Sequence, residues 1–156
     1  MAKSKPKARN KAVILNRRAR YDYNLGEELT VGLVLNGKQV RAARDGRVQL
    51  KGSYVTVRGG ELWLNNASWT LKLNEPGKNE NVVNTEPIKL LANRKQILGL
   101  IQAKQDGNTI AALRLHVAGR LIKLVIATGK GKKKYDKRET IKRRESEREA
   151  KRSMKR

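Results

Sequence analysis

The sequence has no cysteine and only one histidine, His116, among its 156 residues. The lack of cysteine excludes disulfides, thiol catalysis and every cysteine-containing zinc site, and is typical of a reducing compartment. One imidazole without a thiol cannot assemble most nucleophile–base arrangements. His116 shares its strand phase with Arg114, so a surface position is the better interpretation. We therefore predict a protein that is not an enzyme and needs no cofactor and no metal.

Long apolar runs are also missing. No stretch is long enough for a transmembrane helix, and no apolar segment follows the basic N-terminus as it would in a secretory signal. Acidic residues are scarce, with 14 Asp and Glu against 37 Lys and Arg and a net charge of +23. These features predict a cytoplasmic protein whose partner is an anion.

The basic excess is placed unevenly along the chain. Residues 1–20 carry +8, residues 21–128 carry +6 and residues 129–156 carry +9. Basic segments attract polyanions because they neutralise phosphates and release condensed counterions. The charge pattern predicts three parts: a basic N-terminal arm over 1–20, an RNA-binding domain over 21–128 and a basic C-terminal tail over 129–156.

The tail is almost free of apolar residues. Such a segment cannot bury enough surface to offset its ordering entropy, so we expect it to be disordered in the free protein. Asp136 and Glu139 have the spacing of a capping box, but like-charge pairs at i,i+4 oppose the helix that would follow. The pattern predicts a helix that forms only when an anionic partner is bound.

The core region reads as short antiparallel strands with one clear helix. Gly59-Gly60 predicts a hairpin turn between strands over 53–58 and 61–66. A helix is predicted after Asn93, which has Gln96 three residues later and Asp106-Gly107-Asn108 at its end. A last hairpin is expected from about 109 to 127, and residues 72–86 read as a polar loop. At Asn36-Gly37 a hairpin and a short helix over 38–44 are both compatible with the sequence.

This arrangement predicts a mainly β fold, a small antiparallel barrel of the OB type with short helices. A generic antiparallel α+β sheet is the alternative. Phe is absent, so the two Trp and four Tyr either fill the core or stack on bases. Tyr21, Tyr23, Trp63 and Trp69 are the candidates for base stacking, and some of them must instead fill the core.

Three motifs resemble one family. They are Asn16-Arg-Arg-Ala-Arg-Tyr-Asp-Tyr23, the run Leu90-Leu-Ala-Asn-Arg-Lys-Gln-Ile97, and the tail sequence Gly131-Lys-Lys-Lys-Tyr-Asp-Lys-Arg138. Together with Gly60-Glu-Leu-Trp-Leu-Asn-Asn66, they are similar to the small protein B family of bacterial trans-translation. The resemblance implies an OB-type barrel that binds the tRNA-like domain of transfer-messenger RNA (tmRNA) and carries it to the A site of stalled ribosomes. It also favours the helix over 38–44.

The resemblance implies roles for individual residues, all as parts of RNA contacts. The tmRNA contacts would be Asn16, Arg18, Arg20, Gly37, Lys38, Gln39, Val40, Arg41, Lys130, Lys132, Lys133 and Lys134. The small-subunit decoding centre and mRNA channel would be met by Tyr135, Asp136, Lys137 and Arg138. Gln39 stands where the family usually has a glutamate, and keeps an acceptor oxygen without the charge.

The implied mechanism is that of an adaptor, a monomer in a 1:1 complex with tmRNA whose tail probes the empty mRNA channel. A structural ribosomal protein is the alternative function, because such proteins also combine a small core with basic extensions. The two differ in whether the protein stays on the ribosome in a high-salt wash.

Overall fold

A computed structural model describes residues 11–72 and 81–154 of the chain. Its ten strands and four helices follow one another in the order β1, α1, β2, α2, β3 to β8, α3, β9, β10 and α4. The strands are β1 Lys11–Leu15, β2 Tyr23–Leu33, β3 Val48–Gln49, β4 Tyr54–Arg58, β5 Glu61–Asn65, β6 Ser68–Lys72, β7 Asn81–Asn84, β8 Ile88–Leu91, β9 Thr109–Ala118 and β10 Leu121–Gly131. The helices are α1 Arg17–Asp22, α2 Gly37–Arg44, α3 Arg94–Gln105 and α4 Lys134–Ser153.

The main sheet is antiparallel and closes on itself. Its strand order is β1-β9-β10-β2-β8-β5-β4, and β4 also pairs with β9. The β9 strand can serve two neighbours on one edge because its beginning pairs with β4 and its end pairs with β1. Six strands therefore form a closed ring, which removes the exposed edges of an open sheet. The predicted small antiparallel barrel is confirmed.

Alternating apolar residues fill the barrel. Leu62, Leu64, Leu115 and Leu124 are all fully buried in one cluster together with Trp69 of the second, three-stranded sheet β3-β6-β7. Burial at this level contributes about 1.5–3 kcal/mol for each large side chain. Trp69 is thus a core residue, whereas Trp63 is only half-buried, opposite Thr56 and Lys89 in the neighbouring strands.

A second cluster lies on the other face of β9 and β10, beneath α1. A bulge between the pairs at Val125 and Ile126 leaves Leu113 without a partner opposite it. Because of this bulge, Leu113 packs with Ala19 of α1 rather than in the barrel with Leu115. A regular alternation in β9 would predict one phase for Leu113 and Leu115, and the bulge makes that prediction wrong.

Several elements match their sequence signals. Gly59 and Gly60 both have positive φ, the geometry that a two-residue hairpin turn requires, between β4 and β5. The helix over 38–44 is α2, and the hairpin alternative there is wrong. In α3, the backbone N–H of Asn93 donates to the Gln96 side chain at 2.9 Å. The last hairpin is also present, as β9 and β10.

The ends of the barrel reach further than the charge pattern suggested. The β1 strand and most of α1 fall within the predicted arm 1–20, and β10 continues to Gly131, two residues beyond the predicted start of the tail. Strand β7 falls within the predicted loop 72–86, of which residues 73–80 lie outside the described residues. Residues 1–10 of the arm lie outside them as well.

Candidate nucleic-acid interface

Asn16 joins helix α1 to the barrel. Its buried side-chain amide donates to the carbonyl oxygens of Leu50, at 2.7 Å, and Ala112, at 2.8 Å. Its Oδ1 accepts from the backbone N–H of Ala19 at 3.3 Å and caps α1. Both amide protons are therefore used inside the fold. In this structure the side chain has a structural role: it positions the arginines that follow it.

Two of those arginines, Arg18 and Arg20, project from α1 into solvent. Their side chains are 59% and 58% exposed. The Nε of Arg18 lies 3.0 Å from a carboxylate oxygen of Asp22, and Arg20 lies 3.4 Å from Glu28. Exposed ion pairs of this kind contribute about 0–1 kcal/mol, so a phosphate can replace the carboxylate at small cost. Both positions suit the RNA contact expected of them.

The root of the tail lies against the same helix. The backbone N–H of Lys132 donates to the Asp22 carbonyl at 2.8 Å, and its ammonium donates to the Arg20 carbonyl at 3.3 Å. Lys137 Nζ lies 3.0 Å from Asp22 Oδ1 and 5.7 Å from the centre of the Tyr21 ring. The structure thus brings the expected tmRNA contacts of α1 together with the expected decoding-centre motif.

Asp22 is the acid at the centre of this cluster. Its partial burial alone would raise the pKa of its carboxyl, but the hydrogen bonds and charges of Lys137 and Arg18 outweigh burial, and the pKa is lowered. Asp22 is therefore ionised throughout the neutral range. One carboxylate serves two cations, one from α1 and one from α4.

A second basic surface lies along α2. Its groove is lined by the expected residues Gly37, Lys38, Val40 and Arg41, and by cations that the sequence analysis did not single out, namely Arg44, Arg47 and Lys72. The i,i+3 spacing of Arg41 and Arg44 could have indicated Arg44, since both fall on one helix face. Arg47 follows α2 by three residues and its backbone N–H donates to the Ala42 carbonyl, whereas Lys72 belongs to β6 and lies near the groove because α2 packs against that strand.

Gln39 differs from its expected role. It is 6% exposed, and its Oε1 accepts from the backbone N–H of Asn36 at 3.0 Å. Its own N–H donates back to Asn36 Oδ1 at 2.8 Å, which completes a capping box at the start of α2. The acceptor oxygen that was expected to contact RNA is used to begin the helix. A glutamine serves this purpose as well as a glutamate.

The remaining expected contacts lie on the exposed surface of the tail root. Lys130, Lys133, Lys134 and Arg138 are exposed, and Tyr135 is 61% exposed. The α4 helix begins at Lys134, and Asp136 Oδ2 accepts from the backbone N–H of Lys133 at 3.0 Å. Asp136 therefore lies in the first turn, where its charge stabilises the helix dipole, and not at the cap as its spacing to Glu139 suggested.

A third cationic surface is formed where the tail passes α1. The cleft there is lined by Ile14, Leu15, Asn16, Arg17, Arg18, Tyr21, Val48, Gln49, Leu50, Lys51 and Arg144. Arg17, Lys51 and Arg144 have no local motif in the sequence to mark them as neighbours. Only the fold brings these three cations to one cleft.

A family model described as SmpB protein matches residues 13–156. The chain belongs to the SmpB family. Among its relatives, the SsrA-binding protein of Ligilactobacillus salivarius strain UCC118 is 40% identical over 159 aligned residues, which cover 99% of this chain and 98% of that protein. The SsrA-binding protein of Halalkalibacterium halodurans is also 40% identical, over 146 residues that cover 93% and 94% of the two chains.

A solved SmpB family structure has the same fold. It is described as "tmRNA-SmpB: a journey to the center of the bacterial ribosome", with a TM-score of 0.60 and 32% identity, over 78% of this chain and 85% of that one. Within residues 11–72 and 81–154, no helix is long and apolar enough to cross a membrane.

Proposed function

We propose that this chain is an RNA-binding adaptor of trans-translation. It binds the tRNA-like domain of tmRNA and brings it to the A site of stalled ribosomes. The observation that carries the proposal is the junction at Asp22, where Arg18 of α1 and Lys137 of the tail share one carboxylate. Family membership supplies the partner: the relatives are SsrA-binding proteins, and the solved structure pairs SmpB with tmRNA on the bacterial ribosome.

The adaptor divides into two parts with different partners. The α1 arginines and the α2 groove bind tmRNA, together with Lys130 and Lys132–Lys134. Tyr135–Arg138 meet the decoding centre, and the rest of α4 occupies the vacant mRNA channel. Exposed cations are present in both parts, and such cations bind RNA by contacting its phosphates. This supports RNA as the partner of each part.

Binding without catalysis is part of the same proposal. The only histidine, His116, accepts a hydrogen bond from Arg114 Nε at 3.1 Å on the surface of β9. A monomer in a 1:1 complex with tmRNA, acting in the cytoplasm without a metal or cofactor, is sufficient for this role.

The decisive experiment truncates the chain after Tyr135. We expect binding to tmRNA to be retained within about twofold, because truncation removes few of the proposed phosphate contacts. Tagging of stalled ribosomes should collapse, because the tail that enters the channel is gone. Gel-shift titration and a tagging assay on ribosomes stalled without mRNA in the channel measure the two quantities. Equal loss of tmRNA binding and tagging would contradict the division.

A structural ribosomal protein is distinguished by cosedimentation. After a high-salt wash a permanent component stays on the subunit in near one-to-one ratio, whereas the adaptor dissociates because its contacts are largely electrostatic.

The state of the free tail is a separate prediction. The structure has residues 134–153 as a helix of roughly 30 Å at 1.5 Å per residue, but that helix has no buried residue. A helix without a packed face is marginal in water. Circular dichroism of the isolated segment 129–156 should show little helix in dilute buffer, and more when single-stranded RNA is added. A stable helix in the isolated segment without RNA would contradict folding on binding. In the full-length protein, the contacts of Lys132 and Lys137 with Asp22 hold only the first turns of α4.

A further inference from the structure

The direction of the tail depends on very few contacts. From Ile141 to Met154 every described residue of the tail is exposed, and the only ion pair within that stretch joins Arg143 and Glu147 at 4.0 Å. Such an exposed i,i+4 pair stabilises a helix only slightly and does not connect it to the barrel. Beyond Thr140 the tail lines clefts of the barrel only with exposed side chains, so the hydrogen bonds and ion pairs that orient α4 lie at its root and in its first turns.

The chain between β10 and α4 leaves the direction open. Strand pairing ends where Gly131 lies opposite Tyr23, and only Lys132 and Lys133 separate it from the helix. The hydrogen bonds of Lys132 fix the place where the chain leaves the barrel. They do not fix the axis of the helix that follows, because rotation about the φ and ψ angles of Lys133 changes the direction of α4.

One side-chain contact restricts that rotation. Among the described residues, Lys137 with Asp22 is the only ion pair that joins α4 to the barrel. The Lys137 ammonium also lies over the ring of Tyr21, a geometry that favours a cation. The exposed fractions are 23% for the Asp22 side chain and 32% for Lys137, so both are shielded more than the Arg18 side chain that pairs with the same carboxylate.

We propose that Asp22 is a positioning residue for the tail. By holding Lys137 against α1, it fixes the axis along which α4 leaves the barrel, so that the tmRNA-binding helix and the decoding motif move as one body. This inference rests on the proposed function for its consequence in tagging, but not for its geometry. The charge matters at this position, since a neutral acceptor would hold Lys137 and Arg18 with weaker hydrogen bonds and without the ionic attraction.

The geometry is tested with spin labels on the free, full-length protein. The chain has no native cysteine, so Arg120→Cys and Glu139→Cys place one label on the β9–β10 turn and one in the first turns of α4, both at exposed positions. The distance distribution should be narrow with Asp22, broad with Asp22→Asn and narrow again with Asp22→Glu. Glu28→Gln is the matched control, because Glu28 pairs with Arg20 and Arg114 but not with the tail. A distribution that Asp22→Asn leaves unchanged would overturn the proposal.

The consequence is tested by tagging at saturating tmRNA. Asp22→Asn should lower the tagging rate by about fivefold, as the loss of one partly shielded ion pair implies, and Asp22→Glu should restore most of it. Asp106→Asn, at the exposed end of α3, controls for the change of residue type. An equal loss for Asp22→Asn and Asp22→Glu would contradict a positioning charge. If the unmodified chain failed to bind tmRNA, the proposed function would be wrong, and the spin-label comparison would still decide whether Asp22 orients the tail.

Discussion

The barrel and the tail helix are stabilised by different forces. The interior of the barrel holds large aliphatic side chains and one tryptophan that are fully removed from water. The tail helix has twenty residues and buries none of them. Apolar burial is not screened by salt, whereas the charge contacts of an exposed helix are weakened as the ionic strength rises. The comparison explains how one chain can contain a rigid body that binds RNA and a segment whose order depends on its surroundings.

The largest expected effect is on the free energy of unfolding, which a core substitution in the barrel should lower far more than a substitution in the tail helix. Leu124→Ala removes a fully buried side chain from the barrel and should lower the free energy of unfolding by about 2–5 kcal/mol. Ile141→Ala, in the tail, removes a side chain that is already 40% exposed, and should change it by about 0.5 kcal/mol or less. Urea unfolding followed by tryptophan fluorescence measures both. A comparable loss for Ile141→Ala would mean that the tail is packed like the barrel.

The next effect distinguishes a residue that builds the interface from one that contacts RNA. Asn16→Ala removes one donor each from the carbonyls of Leu50, which keeps the donors of Ser53, and Ala112, and it removes the cap of α1, so it should cost about 1–3 kcal/mol of stability. Arg20→Ala should leave stability nearly unchanged and weaken tmRNA binding severalfold, with a reduced salt slope. Thermal unfolding and gel-shift titrations at two salt concentrations test the pair. Weaker tmRNA binding by Asn16→Ala with unchanged stability would restore the direct contact.

Local signals predicted much of the fold. Three features depend only on residues close together in the sequence, and local patterns therefore predicted them: the Gly59-Gly60 turn, the Asn93–Gln96 capping box and the last hairpin. The strands β1, β3, β6, β7 and β8 were not predicted. They are stabilised by distant partners, as in the pairing of β1 with β9. Short strands of that kind have weak patterns of their own.

The sequence predicted which residues belong to the candidate site more reliably than it predicted what each side chain contacts. Motif resemblance and charge indicated Arg18, Arg20, Lys130, Lys133 and Lys134, and these are exposed cations in the structure. Asn16 and Gln39 came from the same motifs, yet their side chains bond within the fold. A motif does not distinguish a residue that contacts RNA from one that positions its neighbour. That distinction depends on burial, which a sequence gives only for strongly periodic segments.

The smallest effect should fall on the junction between barrel and tail, where two glycines behave differently. A Cβ on Gly129 would lie 2.6 Å from the carbonyl oxygen of Asn24 on β2, whereas one on Gly131 would meet nothing within 4 Å. Gly129→Ala must therefore push the end of β10 away from β2, at a cost of about 1–3 kcal/mol. Gly131→Ala should be nearly neutral. Amide exchange at residues 130–132 should rise only for Gly129→Ala, and tagging should fall with it, because the root of α4 loses its fixed place on α1. Equal exchange in the two variants would show that the junction is already loose, and that the tail begins before the end of β10.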